Sequence, residues 1–151
     1  MLSVMGGEEA LLSLELPSQP AAAGAARKAL TALNGALHLV SPERLMDAQL
    51  LISEVVTNAV RHGGDGEEPI QVLVHASPET MRVEVRDQGP GFDLEQIPVP
   101  SPEATERWGL QLVAALAHRW GADRECGTVV WFEIDRPQRS SPLPPEITDP
   151  K

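Results

Sequence analysis

An acidic residue followed by two closely spaced glycines is the polar motif on which the functional interpretation depends. The segment reads Asp87-Gln-Gly-Pro-Gly-Phe92, and it follows an alternating stretch, Met81-Arg-Val-Glu-Val-Arg86, that predicts a strand. Gly89 and Gly91 lack a Cβ, so a flat ring can approach the backbone, and the Asp87 carboxylate can accept a hydrogen bond from an exocyclic amino group. Asp and Gly are also common in turns, and taken alone the motif more often marks a loop after a strand.

A second polar pair lies on a predicted helix. Glu54 and Asn58 are four residues apart, so they project from the same side of the helix, at the border of its apolar face. The amide oxygen could ligate a hard cation such as Mg²⁺, and the carboxylate could accept a proton from an attacking hydroxyl or water. For this pair alone, a solvated Glu and a locally bonded Asn are the simpler explanation.

Two further segments could contact a ligand. Gly109 lies in the first turn of a predicted helix, where unpaired N–H groups and the helix dipole favour an anion. An ordinary, poorly formed helix start explains this segment equally well. Thr128 opens a predicted strand after Gly127 and could bond a ligand through its hydroxyl, although a β-branched strand residue needs no such role.

The elements that must position these residues follow from periodicity and from turn signals. The predicted order is a strand over 12–16, helices over 21–40 and 42–61, a hairpin of 70–76 and 81–86, a long connection over 93–107, a helix over 108–119, and a hairpin of 121–125 and 128–134. The hairpins imply antiparallel pairing, with helices on one face. The fold class is therefore an α/β (α+β) two-layer sandwich with a mixed, mainly antiparallel sheet.

Composition sets limits on the class of protein. The 151 residues suit one domain, expected over 10–135, with a flexible leader over 1–9 and a Pro-rich disordered tail over 136–151. A net charge of −10 argues against direct nucleic-acid binding. Cys126 is the single cysteine, so a reduced, cytoplasmic setting is expected, and the absence of a long apolar run predicts no membrane partner.

Taken together, the three polar segments resemble the GHKL, or Bergerat-fold, ATP-binding superfamily. The matching segments are Glu54-x-x-x-Asn58 (the N box), Asp87-x-Gly89-x-Gly91 (the first glycine box) and Trp108-Gly109-Leu110 (the second glycine box). Their order and rough spacing match over about residues 10 to 135. Within the superfamily the chain is most similar to the bacterial anti-sigma-factor serine/threonine kinases, because Ala117-His-Arg-Trp-Gly121 and Gly127-Thr-Val-Val-Trp-Phe132 look like the endings of those proteins.

The resemblance implies ATP and Mg²⁺ as ligands, and it implies a role for each site residue. Asp87, helped by Thr128, would bind the adenine amino group, while Gly89 and Gly91 would shape the adenine pocket. Asn58 would ligate Mg²⁺ and Glu54 would be the general base. Gly109 and Leu110 would place a helix N-terminus against the phosphates.

The implied activity is that of an ATP-dependent serine/threonine protein kinase. It would phosphorylate an anti-anti-sigma antagonist, bind a sigma factor and form a homodimer. One departure concerns the second glycine box, where Arg107 and Trp108 stand before Gly109 although the family commonly has an earlier glycine. Two alternatives stay open: a catalytically weak nucleotide-sensing module that regulates a partner, and an interaction domain without nucleotide.

Overall fold

The computed structural model describes residues 4–5, 8–62, 67–89, 113, 115–124 and 127–137. Its strands and helices, in chain order, are β1 (Val4–Met5), β2 (Glu8–Leu16), α1 (Ala22–Leu37), α2 (Pro42–His62), β3 (Ile70–Ala76), β4 (Thr80–Asp87), β5 (Arg119–Arg124) and β6 (Thr128–Asp135). Val113 and residues 115–116 are also helical. The predicted long connection over 93–107 lies outside the described residues.

The strands form one six-stranded sheet in the order β1-β2-β3-β4-β6-β5, and every described pairing is antiparallel. The two predicted hairpins are present as β3–β4 and β5–β6. The pairing of β4 with β6 was not predictable from local patterns. It brings the end of β4 beside the start of β6, where the candidate site lies.

The core lies between the sheet and the two long helices. On β4, buried Met81, Val83 and Val85 alternate with more exposed Arg82, Glu84 and Arg86, and β6 has the same alternation. The apolar side chains of both strands therefore face α2, while the charged ones lie on the opposite, outer face of the sheet. This arrangement confirms the predicted two-layer fold class. No helix in the described part of the chain is long and apolar enough to cross a membrane.

The connection between α1 and α2 is held by local hydrogen bonds. His38 adopts a left-handed backbone with φ 49° and ends α1, so this helix stops three residues before the predicted Val40. Buried Asn34 donates to the Val40 carbonyl (3.2 Å) and accepts from the Val40 N–H (2.9 Å). At the start of α2, the Ser41 hydroxyl accepts the Arg44 N–H at 3.2 Å, which is the cap predicted from the sequence.

The third predicted helix, over 108–119, extends too far toward its C-terminal end. The described helical residues there end at Leu116, and β5 begins at Arg119, which the helical spacing had assigned to the helix. The His118 N–H donates to the Glu133 carbonyl at 3.0 Å, and Arg119 pairs with Glu133 across the hairpin. Pairing with β6 satisfies these backbone groups, so tertiary contacts override the local periodicity.

The two ends of the described chain also differ from expectation. The segment predicted as a leader, residues 1–9, contains β1 and the first two residues of β2. Arg136, the first residue of the predicted tail, is held by three hydrogen bonds. Its N–H donates to the Glu79 carbonyl, and its guanidinium donates to the carbonyls of Leu39 and Ser77.

Candidate functional site

The candidate site is built on the paired ends of β4 and β6. Asp87, the last residue of β4, lies directly opposite Thr128, the first residue of β6. In the alternation of each strand, both residues fall on the same side as the buried positions. Their side chains therefore belong to the face that α2 covers. Asp87 is half-buried and Thr128 is only 3% exposed. An acid and a hydroxyl therefore meet at one end of the sheet, beneath the helical layer.

The peptide groups of Gly89 are held from both sides. The Gly89 N–H donates to Asp87 Oδ1 at 2.7 Å, and Thr128 Oγ1 donates to the Gly89 carbonyl at 3.2 Å. The first of these bonds fixes the orientation of the Asp87 carboxylate relative to the backbone that follows it. The second bond crosses from β6 to the loop after β4. Asp87, Gly89 and Thr128, all predicted as site residues, are thus brought into one cluster.

Gly127 is a member of this cluster that the sequence analysis did not assign to the site. Its φ is +122°, a conformation that residues with a Cβ rarely adopt. A Cβ built at this position would lie 2.1 Å from the Asp87 carbonyl oxygen. The only sequence signal was a glycine directly before the predicted strand. That signal indicated a turn but could not reveal what the turn approaches.

Glu54 and Asn58 lie one turn apart on α2, in the layer above the same face of the sheet. Both side chains are half-buried, beside fully buried Val55 and Val56. α1 packs along a different side of α2, where Thr31 accepts a hydrogen bond from Gln49 (2.8 Å) and Arg27 donates to Ser53 (3.2 Å). At about 100° per residue, Glu54 and Asn58 are rotated by about 100° to 180° from Gln49 and Ser53, so they lie on a different side of α2 from the α1 contacts.

Three predicted site residues lie outside the described part of the chain: Gly91, Gly109 and Leu110. The structure therefore shows one cluster at the strand ends and one polar pair on the overlying helix. These two parts could perform complementary chemistry. An acid beside a backbone that lacks a Cβ can recognise a polar ring, whereas a carboxylate and an amide can serve proton transfer and cation binding.

The outer face of the sheet has a different character. A groove of about 480 Å³ lies there, lined by charged and polar residues that include Glu15, Gln71, Arg82, Glu84, Arg86 and Asp123, and it extends to Asp87 and Thr128 at the strand ends. Glu84 pairs with Arg82 and Arg86, both at 3.0 Å. Burial alone would raise the pKa of the Glu84 carboxyl, but hydrogen bonds from Arg86 and Arg82 outweigh burial and hold the pKa below its ordinary value. The pairing of these charges on the surface is a structural network.

The residues present bear on whether magnesium and a nucleotide could bind here. Within the described residues, no group of three or more His, Cys, Asp or Glu side chains could hold a metal ion by itself. Asn58 could still supply one oxygen to Mg²⁺, because Mg²⁺ in nucleotide sites takes few protein ligands and completes its shell with phosphates and water. Asp87 beside the bare backbone of Gly89 fits an adenine ring. The residues thus suit both groups.

Comparison with known proteins identifies a family match over most of the chain. Residues 16–134 match the model of the histidine kinase-like ATPase domain. The serine-protein kinase RsbW of Listeria innocua is 33% identical over 86 residues, covering 56% of this chain and 54% of that protein. The serine-protein kinase RsbW of Oceanobacillus iheyensis is 25% identical over 131 residues, covering 79% and 82%. The chain spans about half the length of the Listeria relative that it matches.

A solved structure has the same architecture. The crystal structure of the RsbU and RsbW domains of a Mycobacterium tuberculosis protein superposes with a TM-score of 0.63 and 25% sequence identity. The match covers 85% of this chain and 33% of that one. The two-layer arrangement of sheet and helices described above is therefore also found in an experimentally determined structure.

Proposed function

The chain belongs to the histidine kinase-like ATPase domain family, and from that membership we propose that it is a serine/threonine protein kinase of the anti-sigma type. It binds ATP with Mg²⁺ and transfers the γ-phosphoryl group to a partner protein. The observation that carries this proposal is the cluster of Asp87, Gly89 and Thr128 beneath a helix that bears Glu54 and Asn58. The relatives named as serine-protein kinases support the choice of acceptor.

Each residue has a chemical task in this proposal. The Asp87 carboxylate accepts a hydrogen bond from the adenine amino group, and the bare backbone of Gly89 and Gly91 leaves space for the ring. Asn58 holds Mg²⁺, which when bound neutralises phosphate charge. Gly109 and Leu110 set a helix N-terminus against the phosphates. Glu54 takes the proton from the attacking Ser or Thr hydroxyl of the acceptor. The oxygen of that hydroxyl bonds to the γ-phosphorus as the bond from the γ-phosphorus to ADP breaks.

The decisive experiment separates binding from transfer. The purified protein is incubated with radiolabelled Mg-ATP and the antagonist protein encoded near it or co-purified with it. We expect labelling of the antagonist by wild type, and its loss in Glu54→Gln with ATP affinity retained. Glu43→Gln, an exposed acid in the first turn of the same helix, is the matched control and should keep full activity. Transfer that persists in Glu54→Gln would remove Glu54 from the role of base.

The partners proposed are those of an anti-sigma kinase. We propose an anti-anti-sigma antagonist as the phosphoryl acceptor, a sigma factor as a second binding partner, and a homodimer as the working form. A cytoplasmic setting would supply ATP and both partners. The support for this set is the similarity to proteins named RsbW and to a chain that joins RsbU and RsbW domains. Co-elution of the purified chain with a sigma factor only when nucleotide is present would test it.

A second candidate function is a nucleotide-sensing module with little transfer. Its motivation is the segment Arg107-Trp108-Gly109, in which Arg107 stands where the family commonly has the earlier glycine and the bulky residue Trp108 follows it. Such a protein would bind Mg-ATP with the same residues but use the bound nucleotide only to change its affinity for a partner. Tight ATP binding without labelling of the antagonist would favour this candidate over the kinase.

A further inference from the structure

We propose that Gly127 is a positioning residue for purine recognition. It allows the start of β6 to press against the Asp87 backbone, and this close approach sets the carboxylate that reads the base. The inference rests on the proposed ATP site and deepens it, because it names what holds the base-reading acid in place. Gly127 does not contact the nucleotide itself. It acts through Asp87, Gly89 and Thr128.

The structure leaves no space for a side chain at position 127. A Cβ on residue 127 would meet the Asp87 carbonyl oxygen at 2.1 Å, and the Asp87 carbonyl carbon and the Gln88 Cα at 3.1 Å. All three atoms belong to the backbone, so no side-chain rotation relieves the overlap. Restoring an ordinary contact would require the segment after β4 to move by roughly 1 Å, a displacement of the size that impairs precisely arranged sites.

The backbone conformation at position 127 also favours glycine. Gly127 has φ +122°, in the region that L-residues with a Cβ rarely enter. An alanine here would be strained even if space were available. The two effects act in the same direction, because the chain would relieve both by rotating residue 127 and drawing Thr128 away from the loop that follows β4.

Two hydrogen bonds connect the residue after Gly127 to the Asp87 carboxylate. Thr128, the next residue, donates to the Gly89 carbonyl at 3.2 Å, and the Gly89 N–H donates to Asp87 Oδ1 at 2.7 Å. A shift of the β6 start therefore passes through two hydrogen bonds to the Asp87 carboxylate. Thr128 and Gly89 are 39 residues apart in sequence, so no local structure can replace this contact.

Base selectivity is the readout that distinguishes positioning from stability. Adenine presents an amino donor to a carboxylate, whereas guanine presents a carbonyl oxygen at the same position, which the carboxylate repels. The ratio of ATP affinity to GTP affinity therefore reports on the position of the Asp87 carboxylate relative to the base. A merely destabilised protein binds every nucleotide less well and keeps that ratio, because loss of folded protein affects both ligands equally.

The experiment is calorimetric titration of wild type and Gly127→Ala with Mg-ATP and Mg-GTP, well below each melting temperature. We expect the alanine variant to lose at least tenfold in ATP affinity, with a much smaller loss for GTP, so that the selectivity ratio falls about tenfold. Wild-type selectivity in Gly127→Ala would overturn the inference. That result would leave the proposed function standing, whereas a wild type that binds no adenine nucleotide would overturn the proposed function and this inference together, so the two failures are distinguishable.

Gly121→Ala is the matched control, since it introduces the same methyl group elsewhere in the β5–β6 hairpin. A Cβ on Gly121 would lie 2.7 Å from a ring atom of Trp131. This contact is with a side chain on the outer face of the sheet, whereas the contacts at Gly127 are with backbone atoms. We expect this variant to melt at a lower temperature but to keep the ATP-to-GTP ratio. A collapse of the ratio in Gly121→Ala as well would mean that loosening the hairpin in general alters selectivity, and would overturn the specific role of Gly127.

A second pair of variants covers the case in which Gly127→Ala does not fold. Thr128→Val keeps the shape of the side chain but removes the hydroxyl that holds the Gly89 carbonyl, while Thr128→Ser keeps the hydroxyl. We expect selectivity to fall in the valine variant and to be retained in the serine variant. Equal selectivity in the two variants would show that the hydrogen bond from Thr128 to the Gly89 carbonyl does not position Asp87, and it would refute the inference.

Discussion

Replacing Arg136 by alanine should destabilise the domain substantially, although the sequence places this residue at the start of a Pro-rich tail. The guanidinium donates from Nε to the Leu39 carbonyl at 2.9 Å and from Nη1 to the Ser77 carbonyl at 2.7 Å. Leu39 lies in the connection between α1 and α2, and Ser77 lies in the turn between β3 and β4. One side chain therefore ties the helical layer to the sheet.

The magnitude follows from the two lost hydrogen bonds. A hydrogen bond that involves a charged group contributes about 1.5–3 kcal/mol. Both bonds are partly buried, so water can reach the vacated carbonyls, and we take the lower end of this range for each. The free energy of unfolding should then fall by about 3 kcal/mol, which corresponds to a loss of about 10 °C in melting temperature for a domain of this size. The Arg136 N–H bond to Glu79 is retained, because alanine keeps the backbone donor.

Urea denaturation followed by circular dichroism is the assay. The midpoint should shift while the m-value stays constant, since the same surface is exposed on unfolding. Arg136→Lys should be intermediate, because lysine keeps the charge but cannot reach both carbonyls with a planar fork. Lys28→Ala removes an exposed cation from α1 and should change stability by less than about 0.5 kcal/mol. An Arg136→Ala variant within that same limit would refute the account.

Three further predictions concern α1 and the outer face of the sheet. Gly35→Ala should stabilise the protein by about 0.5–1 kcal/mol in urea denaturation, because the added methyl meets no atom within 4 Å and the helix interior loses a flexible residue; a lower midpoint would contradict this. Asn34→Ala should cost about 2–3 kcal/mol in thermal melting by leaving both polar groups of Val40 unpaired, and an unchanged melting temperature would argue against that contact. The lowered pKa of Glu84 contributes stability that is fully present above its ordinary value of 4.5 and is lost as the pH falls through the lower folded-state pKa. Glu84→Gln should therefore flatten the acid limb of a stability–pH curve, and an identical acid limb in both proteins would exclude Glu84 as its source.

Local patterns in the sequence predicted most of the elements. The alternation of Ile70, Val72 and Val74 gave the bounds of β3, and the Ser41 cap gave the start of α2. These signals work because side-chain periodicity and capping are properties of a few neighbouring residues. The prediction was wrong at Arg119, where helical spacing continued into what is β5, because pairing with Glu133 competes with the local preference.

The candidate site was partly predictable for the same reason. Glu54 and Asn58 share one side of a helix by spacing alone, and Asp87 was placed at a strand end by alternation. Their proposed roles in binding and catalysis stay predictions, as do those of Gly91, Gly109 and Leu110. Gly127 was missed because its importance depends on the Asp87 carbonyl, an atom that sequence proximity does not bring near it.

The sequence by itself determined the approximate positions of most helices and strands, which of their faces are apolar, and which polar residues lie at the edges of those faces. Only the tertiary structure decided that β4 neighbours β6, so that Thr128 holds the backbone of Gly89 and Gly127 abuts Asp87. The physical reason is that periodicity is set by the geometry of each segment, whereas the choice of neighbouring strand depends on how distant segments together satisfy backbone hydrogen bonds and bury one shared core.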